Sequence, residues 1–191
     1  STRVRSSAAS DVYKRQRIPQ SVHSMGESVF SGCRSLERMD IPGSIKTVPA
    51  DTLFACATLK ELSIGSGIQT IGRRAFGGCT ALESVRIPDG VTELDAMAFM
   101  GDGELVSAYI PESVKIIGAE AFARCGKLRE ISLPGGIEDI GAAAFSGCAA
   151  LAEKDGFVMI GDVCCGYIGD GSSITVPDKA SAIAPGAFRE N

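Results

Sequence analysis

The residues that invite chemistry are seven cysteines, because a thiolate can hold zinc, attack an electrophile or pair as a disulfide. Five of them, Cys33, Cys56, Cys79, Cys125 and Cys148, fall at one position of a 23-residue period, and Asp102 stands where that series skips. Zinc sites gather CxxC pairs or comparable Cys/His sets, whereas this spacing puts one thiol on each structural unit. It predicts small buried thiols that face neighbouring backbone, and no metal site. Units stacked in parallel do not bring such side chains to the disulfide torsion, so most of the thiols are expected to be free. Cys164 and Cys165 differ: adjacent residues point to opposite sides of a strand, so at least one is expected to face outward as a reactive thiol or an intermolecular partner.

His23 is the only histidine. Its equivalents in later periods, Lys46, Gln69, Thr92, Lys115 and Glu138, are all polar, which marks a solvent-facing column and not a base held by an orienting partner. The stretch GSGIQTIG (65–72) satisfies neither GxGxxG nor GxxxxGK[ST], so its glycines read as turn residues. Glu37 with Asp40 reads as a solvated strand face in preference to a glycosidase pair. No catalytic residue, metal or cofactor is assigned, and the chain is read as non-enzymatic. A formal charge of −4 excludes a generally basic nucleic-acid binder. No apolar run approaches the ~20 residues a membrane helix needs, so no membrane insertion is expected in this segment.

Whatever chemistry exists must be positioned by a repeat. The stretch IPESVKIIGAEAFARCGKLREIS (110–132) recurs with its apolar letters in fixed places, starting at Ile18, Ile41, Ile64, Ile87, Ile110, Leu133 and, after an interruption, Val176. Proline follows at six of those seven starts, Gly65 being the exception. A further column reads Phe30, Leu53, Phe76, Phe99, Phe122, Phe145 and Phe188. A period between about 20 and 50 residues is the signature of a solenoid, in which no unit buries its apolar face alone and stacking supplies the core. The alternation Ile131 in, Ser132 out, Leu133 in predicts one short parallel β-strand per rung, ended by a proline that lacks a backbone donor. A second possible strand lies around Val114 to Ile117. Gly118 then permits a bend, and AEAFARC (119–125) has the residues for one or two helical turns.

Residues 1–17 match none of the columns and hold five of the nineteen basic residues against one Asp, so they read as an irregular leader. Part of it, SSAASDVYKRQ, resembles translated adapter sequence, which would make the leader non-native. The repeats that remain carry 14 basic and 22 acidic residues, an acidic balance. Residues 18–191 read as one solenoid interrupted by an insertion at 156–175. There, Phe157–Ile160 and Val163–Ile168 flank Gly161-Asp162 as in a hairpin, and extension of one coil is favoured over a ligand-contacting flap. The array stops at Asn191, three residues past Phe188, without a polar cap, so the sequence is expected to be a fragment.

The pattern IPxSVxxIGxxAFxxCxxLxxIxIP, repeated from about 18 to 188, resembles the BspA-like, or Treponema-type, leucine-rich repeat. The resemblance implies a right-handed leucine-rich-repeat coil of the kind carried on large bacterial surface or secreted proteins. It also implies an extracellular or cell-surface location and an association with adhesion to host proteins and other cells.

What varies while the buried columns do not is the outward strand row: Arg38, Asp40, Glu61, Ser63, Ser84, Arg86, Ser107, Tyr109, Glu130 and Ser132. The sheet face of a curved solenoid is its usual binding surface. This row is therefore the expected ligand-binding face, with Tyr109 and Arg86 as its anchor, for another protein or a surface glycan. The other reading is a structural spacer with no ligand of its own.

Overall fold

Apolar side chains recurring every 23 residues can all be buried only if each copy lies directly above the last, and the backbone does this. The structure, a computed structural model, describes residues 14–169, 171 and 173–188. On one side of the coil, each rung supplies a short strand: β1 (Arg15–Arg17), β2 (Arg38–Ile41), β4 (Glu61–Ile64), β6 (Ser84–Arg86), β8 (Ser107–Tyr109) and β10 (Glu130–Ile131). A second strand follows: β3 (Thr47–Val48), β5 (Thr70–Ile71), β7 (Glu93–Leu94), β9 (Ile116–Ile117) and β11 (Asp139–Ile140). All these strands pair in parallel, and partners such as Arg38↔Glu61 and Thr70↔Glu93 stand one repeat apart. The second set forms one continuous five-stranded sheet, whereas the first divides into β1-β2-β4 and β6-β8-β10.

Between the two sheets runs a column of buried aliphatics, including Val48, Ile71, Leu94 and Ile117, each fully inaccessible. Across from it the phenylalanines stack, with ring centroids 5.3 Å apart for Phe76–Phe99, 5.2 Å for Phe99–Phe122 and 5.6 Å for Phe122–Phe145. The last two pairs are nearly parallel, at 6° and 1°. Parallel rings at these separations lie within the range that aromatic pairs favour, and the backbone register repeats the contact from rung to rung. Burial contributes roughly 1.5–3 kcal/mol for each such side chain.

The helical turns expected over AEAFARC (119–125) do not form; the one 3-10 turn among the described residues, Ala149–Leu151, lies past the segment that carries Phe. That segment is non-helical because every second backbone donor goes to the next rung. The amides of Glu120, Phe122 and Arg124 donate to the carbonyls of Ala142, Ala144 and Ser146, and the same trio recurs from Met97, Phe99 and Gly101 to Ala119, Ala121 and Ala123. Two left-handed residues per rung make this possible. Ser28, Asp51, Arg74, Met97, Glu120 and Ala143 have φ between 52° and 61°, and four residues later the column is Gly32, Ala55, Gly78, Gly101, Arg124 and Gly147. A non-glycine residue in that region costs roughly 1–2 kcal/mol. Three rung-to-rung hydrogen bonds, each worth roughly 0.5–1.5 kcal/mol net, offset it.

Two boundaries differ from the sequence reading. The sheet begins inside the supposed leader, where Arg15–Arg17 pair with Arg38–Asp40. Ladder bonds need no apolar side chain, and Gln16 occupies the inward register position of Met39. The rest of the leader, residues 1–13, lies outside the described residues. At the insertion, β12 (Phe157–Ile160) and β13 (Val163–Tyr167) form the expected antiparallel hairpin, turning at Gly161 with φ 63°. β14 (Ala182–Ile183) then pairs with β13 and not with β11. Val158, Ile160 and Cys165 join the main core, so the hairpin extends the coil.

Asp102 replaces a thiol inside this core. Thiols of Cys56, Cys79, Cys125 and Cys148 donate to the carbonyls of Phe30, Leu53, Phe99 and Phe122, each 26 residues back, at 3.0–3.4 Å. Asp102 is fully buried between Cys79 and Cys125 of the same column; its Oδ1 accepts the Cys79 amide at 2.8 Å and its Oδ2 has no partner. Burial pushes its carboxyl well above the usual range, opposed by the amides of Cys79 and Gly78. The neutral acid is the form that such burial favours, since an ionised carboxylate there would lack partners for one of its two oxygens.

The sign of the pH dependence follows. A folded-state pKa raised above the unfolded value gives stability that is complete below about pH 4 and is lost as pH rises towards the folded pKa, by up to about 1.4 kcal/mol per unit. Urea unfolding across pH 4–9 is expected to show the Asp102→Cys variant gaining stability relative to the parent chain as pH rises; a pH-independent difference would refute the buried neutral acid.

Candidate functional site

Each cysteine lies in a position set by the rung. All seven are free thiols. Burial pushes Cys56 and Cys148 up to about 12, and raises Cys79 and Cys125 as well. A thiol held protonated is a poor nucleophile and a poor metal ligand. Among the described residues, no group of three or more Cys, His, Asp and Glu side chains could hold a metal ion.

The expectation that Cys164 or Cys165 faces outward is overturned, because both are buried. Their side chains do take opposite sides of β13, but both sides are covered. Cys165 packs into the main core, and Cys164 packs with Phe157 and Met159 beneath Tyr167, Val176, Ala180 and Phe188. Burial raises both, Cys165 to about 12. His23 is exposed, and its Nδ1 lies 2.8 Å from the Ser21 carbonyl two residues away, with no orienting carboxylate bonded to it among the described residues.

The remaining surface is the outer side of the main sheet. Strand alternation sends Val85 and Ala108 inward and leaves Ser84, Arg86, Ser107 and Tyr109 on the outside. Parallel register sets Arg86 beside Tyr109 and Ser84 beside Ser107. The Arg86 guanidinium carbon lies 3.9 Å from the Tyr109 ring centroid, a cation–π contact on a ring that is 43% exposed. Such contacts are worth about 0.5–1 kcal/mol at exposed sites. Ser84, Arg86, Ser107, Tyr109, Glu130 and Ser132 line a shallow groove of about 540 Å³.

The ten expected residues share this face but are not equivalent. Arg38 is held by Glu61 at 2.9 Å and Asp40 at 3.5 Å, so its charge is taken up by two carboxylates of the row. Glu130 lies 3.6 Å from Arg129 in an exposed contact. Arg86 has no carboxylate within ion-pair distance among the described residues, and the Ser63, Ser84, Ser107 and Ser132 hydroxyls are likewise without side-chain hydrogen bonds there. Two residues outside the expected row line adjoining grooves: Arg17 beside Arg38 and Asp40, and Lys60 beside Ser63 and Arg86. Arg17 stands one period before Asp40, a signal hidden by treating it as leader.

The sequence matches the family described as BspA type leucine-rich repeat region in six copies, over residues 10–104 and 48–155. Among solved structures, a leucine-rich repeat protein from Bacteroides ovatus superposes with a TM-score of 0.73 at 29% identity, covering 92% of this chain and 46% of that one. A leucine-rich cell surface protein from Faecalibacterium prausnitzii gives 0.55 at 26% identity, over 72% of this chain and 30% of its own. The leucine-rich repeat protein of T. pallidum gives 0.56 at 25% identity, over 73% and 78%. The chain thus spans less than half the length of the first two. No curated protein matches the sequence.

Burial of the thiols has a direct readout. Under native conditions at pH 8, Ellman's reagent is expected to label the half-buried Cys33 at most, with the other six of the seven thiols appearing only on unfolding. Rapid native labelling of Cys164 or Cys165, located by peptide mass spectrometry, would reverse the assignment made for the hairpin.

Proposed function

The chain belongs to the BspA-type leucine-rich repeat family, and from that premise we propose that it is a non-catalytic binding module of a bacterial cell-surface or secreted protein, contacting another protein or a surface glycan through the outer face of the main sheet. The observation that carries this reading is the Arg86–Tyr109 stack, a cation and an aromatic ring held together on an exposed groove. Arg and Tyr are enriched among residues that dominate interface energetics. The description of the F. prausnitzii relative as a cell surface protein supports the location.

Mechanism here means rigid presentation. Parallel rungs about 4.8 Å apart hold outward side chains at fixed separations, and a surface already ordered loses less conformational freedom when it binds. The sheet face needs no lid or rearrangement to act. The competing reading is a spacer that holds other parts of a longer protein away from a surface, favoured by the ion pairs that tie Arg38 to Glu61 and Asp40 within the row.

Binding of the labelled full chain to arrays of glycans and purified extracellular proteins separates the two. A genuine partner is expected to lose at least about tenfold in affinity, about 1.4 kcal/mol, with Arg86→Ala plus Tyr109→Ala, while Glu93→Ala on the other sheet leaves it unchanged. Partners indifferent to the double substitution and sensitive only to the number of rungs would favour the spacer.

A further inference from the structure

The groove beside Arg86 has a chemical bias that narrows its ligand, resting on the reading of the sheet face as a binding surface. Arg86 carries its fork of N–H donors over the Tyr109 ring, the guanidinium carbon 3.9 Å from the centroid. Those donors meet no protein carboxylate among the described residues, whereas the only other arginine in the expected row, Arg38, is taken up by Glu61 and Asp40. Lys60 lines the adjoining groove with Arg86; the Asp40 and Glu61 carboxylates of that groove are the ones paired with Arg38. Around them stand the hydroxyls of Ser63, Ser84, Ser107 and Ser132, each able to donate and accept.

A second feature sits at the same place. Ladder hydrogen bonds join β6 to β8, but none joins β4 to β6, so the facing edges of Glu61–Ile64 and Ser84–Arg86 lie outside any ladder. This seam runs between Ser63 and Arg86. It adds backbone donors and acceptors to a wall already rich in hydroxyls. The groove is shallow and open, without the enclosed apolar pocket that anchors protein hot spots.

We propose that this groove binds an acidic sugar residue, its carboxylate taken by the Arg86 fork and its hydroxyls by the surrounding serines and Glu130. A fork of parallel N–H donors matches a carboxylate bidentately. The excess of uncharged hydroxyls over cations favours a polyhydroxylated ligand over an acidic peptide. Glu130, two rungs along from Arg86, accepts from sugar hydroxyls and discriminates against a second nearby carboxylate.

The test is an NMR titration of the full chain, following the Arg86 side-chain N–H and the Tyr109 ring, with glucuronate, N-acetylneuraminate, uncharged glucose and N-acetylaspartate amide as separate probes. At least one acidic sugar is expected to bind at least about tenfold more tightly than glucose, and to lose about tenfold with Arg86→Gln. Arg86→Lys, which keeps the charge without the planar fork, is expected to recover only part of that loss. Equal binding of glucose and glucuronate, or titrations unchanged by Arg86→Gln, overturns the proposal. N-acetylaspartate amide binding as tightly as the best acidic sugar overturns the sugar assignment in favour of an acidic peptide. If no probe binds but a partner from the arrays still depends on Tyr109, the acidic-sugar proposal fails while the sheet-face reading stands.

Discussion

Every rung spends its backbone hydrogen bonds on its neighbours. Buried amides and carbonyls cannot go unpaired without a cost of about 1–3 kcal/mol each. In this coil many of the partners lie about one repeat away in sequence, along the left-handed turns and within both sheets except between β4 and β6. Phenylalanine stacking, thiol-to-carbonyl bonds and the placement of outward side chains all follow from that one register. A rung that slipped by one residue would turn its strand inside out and send Val85 or Ala108 into water. Stability in such an array is close to a sum of rung and interface contributions, so no single rung holds the whole.

Most of the architecture was legible because it depends on which letters repeat. The Ile and Phe columns, the strand before each proline and the hairpin at Gly161-Asp162 can be read directly, since alternation and period report burial. The turn was not legible. Glu120, Met97 and Arg74 are good helix formers, and no property of those residues alone says that their amides bond to the next rung with φ near +55°. That information resides in the backbone of the neighbouring repeat. Cys164 and Cys165 failed for a related reason: the alternation was correctly read, but Val176, Ala180 and Phe188 cover the face that alternation assigned to solvent.

The expected ligand face was partly legible. Its ten residues follow from strand periodicity, yet the pairing of Arg38 with Glu61 and the cation–π contact of Arg86 with Tyr109 depend on rotamers that sequence does not encode. Those rotamers change the meaning of the row. At one end Arg38 is tied to two carboxylates, and at the other Arg86 meets none among the described residues, so a row that looks uniform in spacing is polarised in chemistry.

The missing ladder between β4 and β6 gives the coil a joint. The second sheet runs unbroken past this point, and the turn amides of Asp51 and Arg74 still reach the carbonyls of Arg73 and Ala96, so two sides of the circumference act like the spine of a book. Along the main sheet at that point Ser63 and Arg86 flank a gap in the ladder, and the rungs on either side are joined there through side chains of the core instead of backbone.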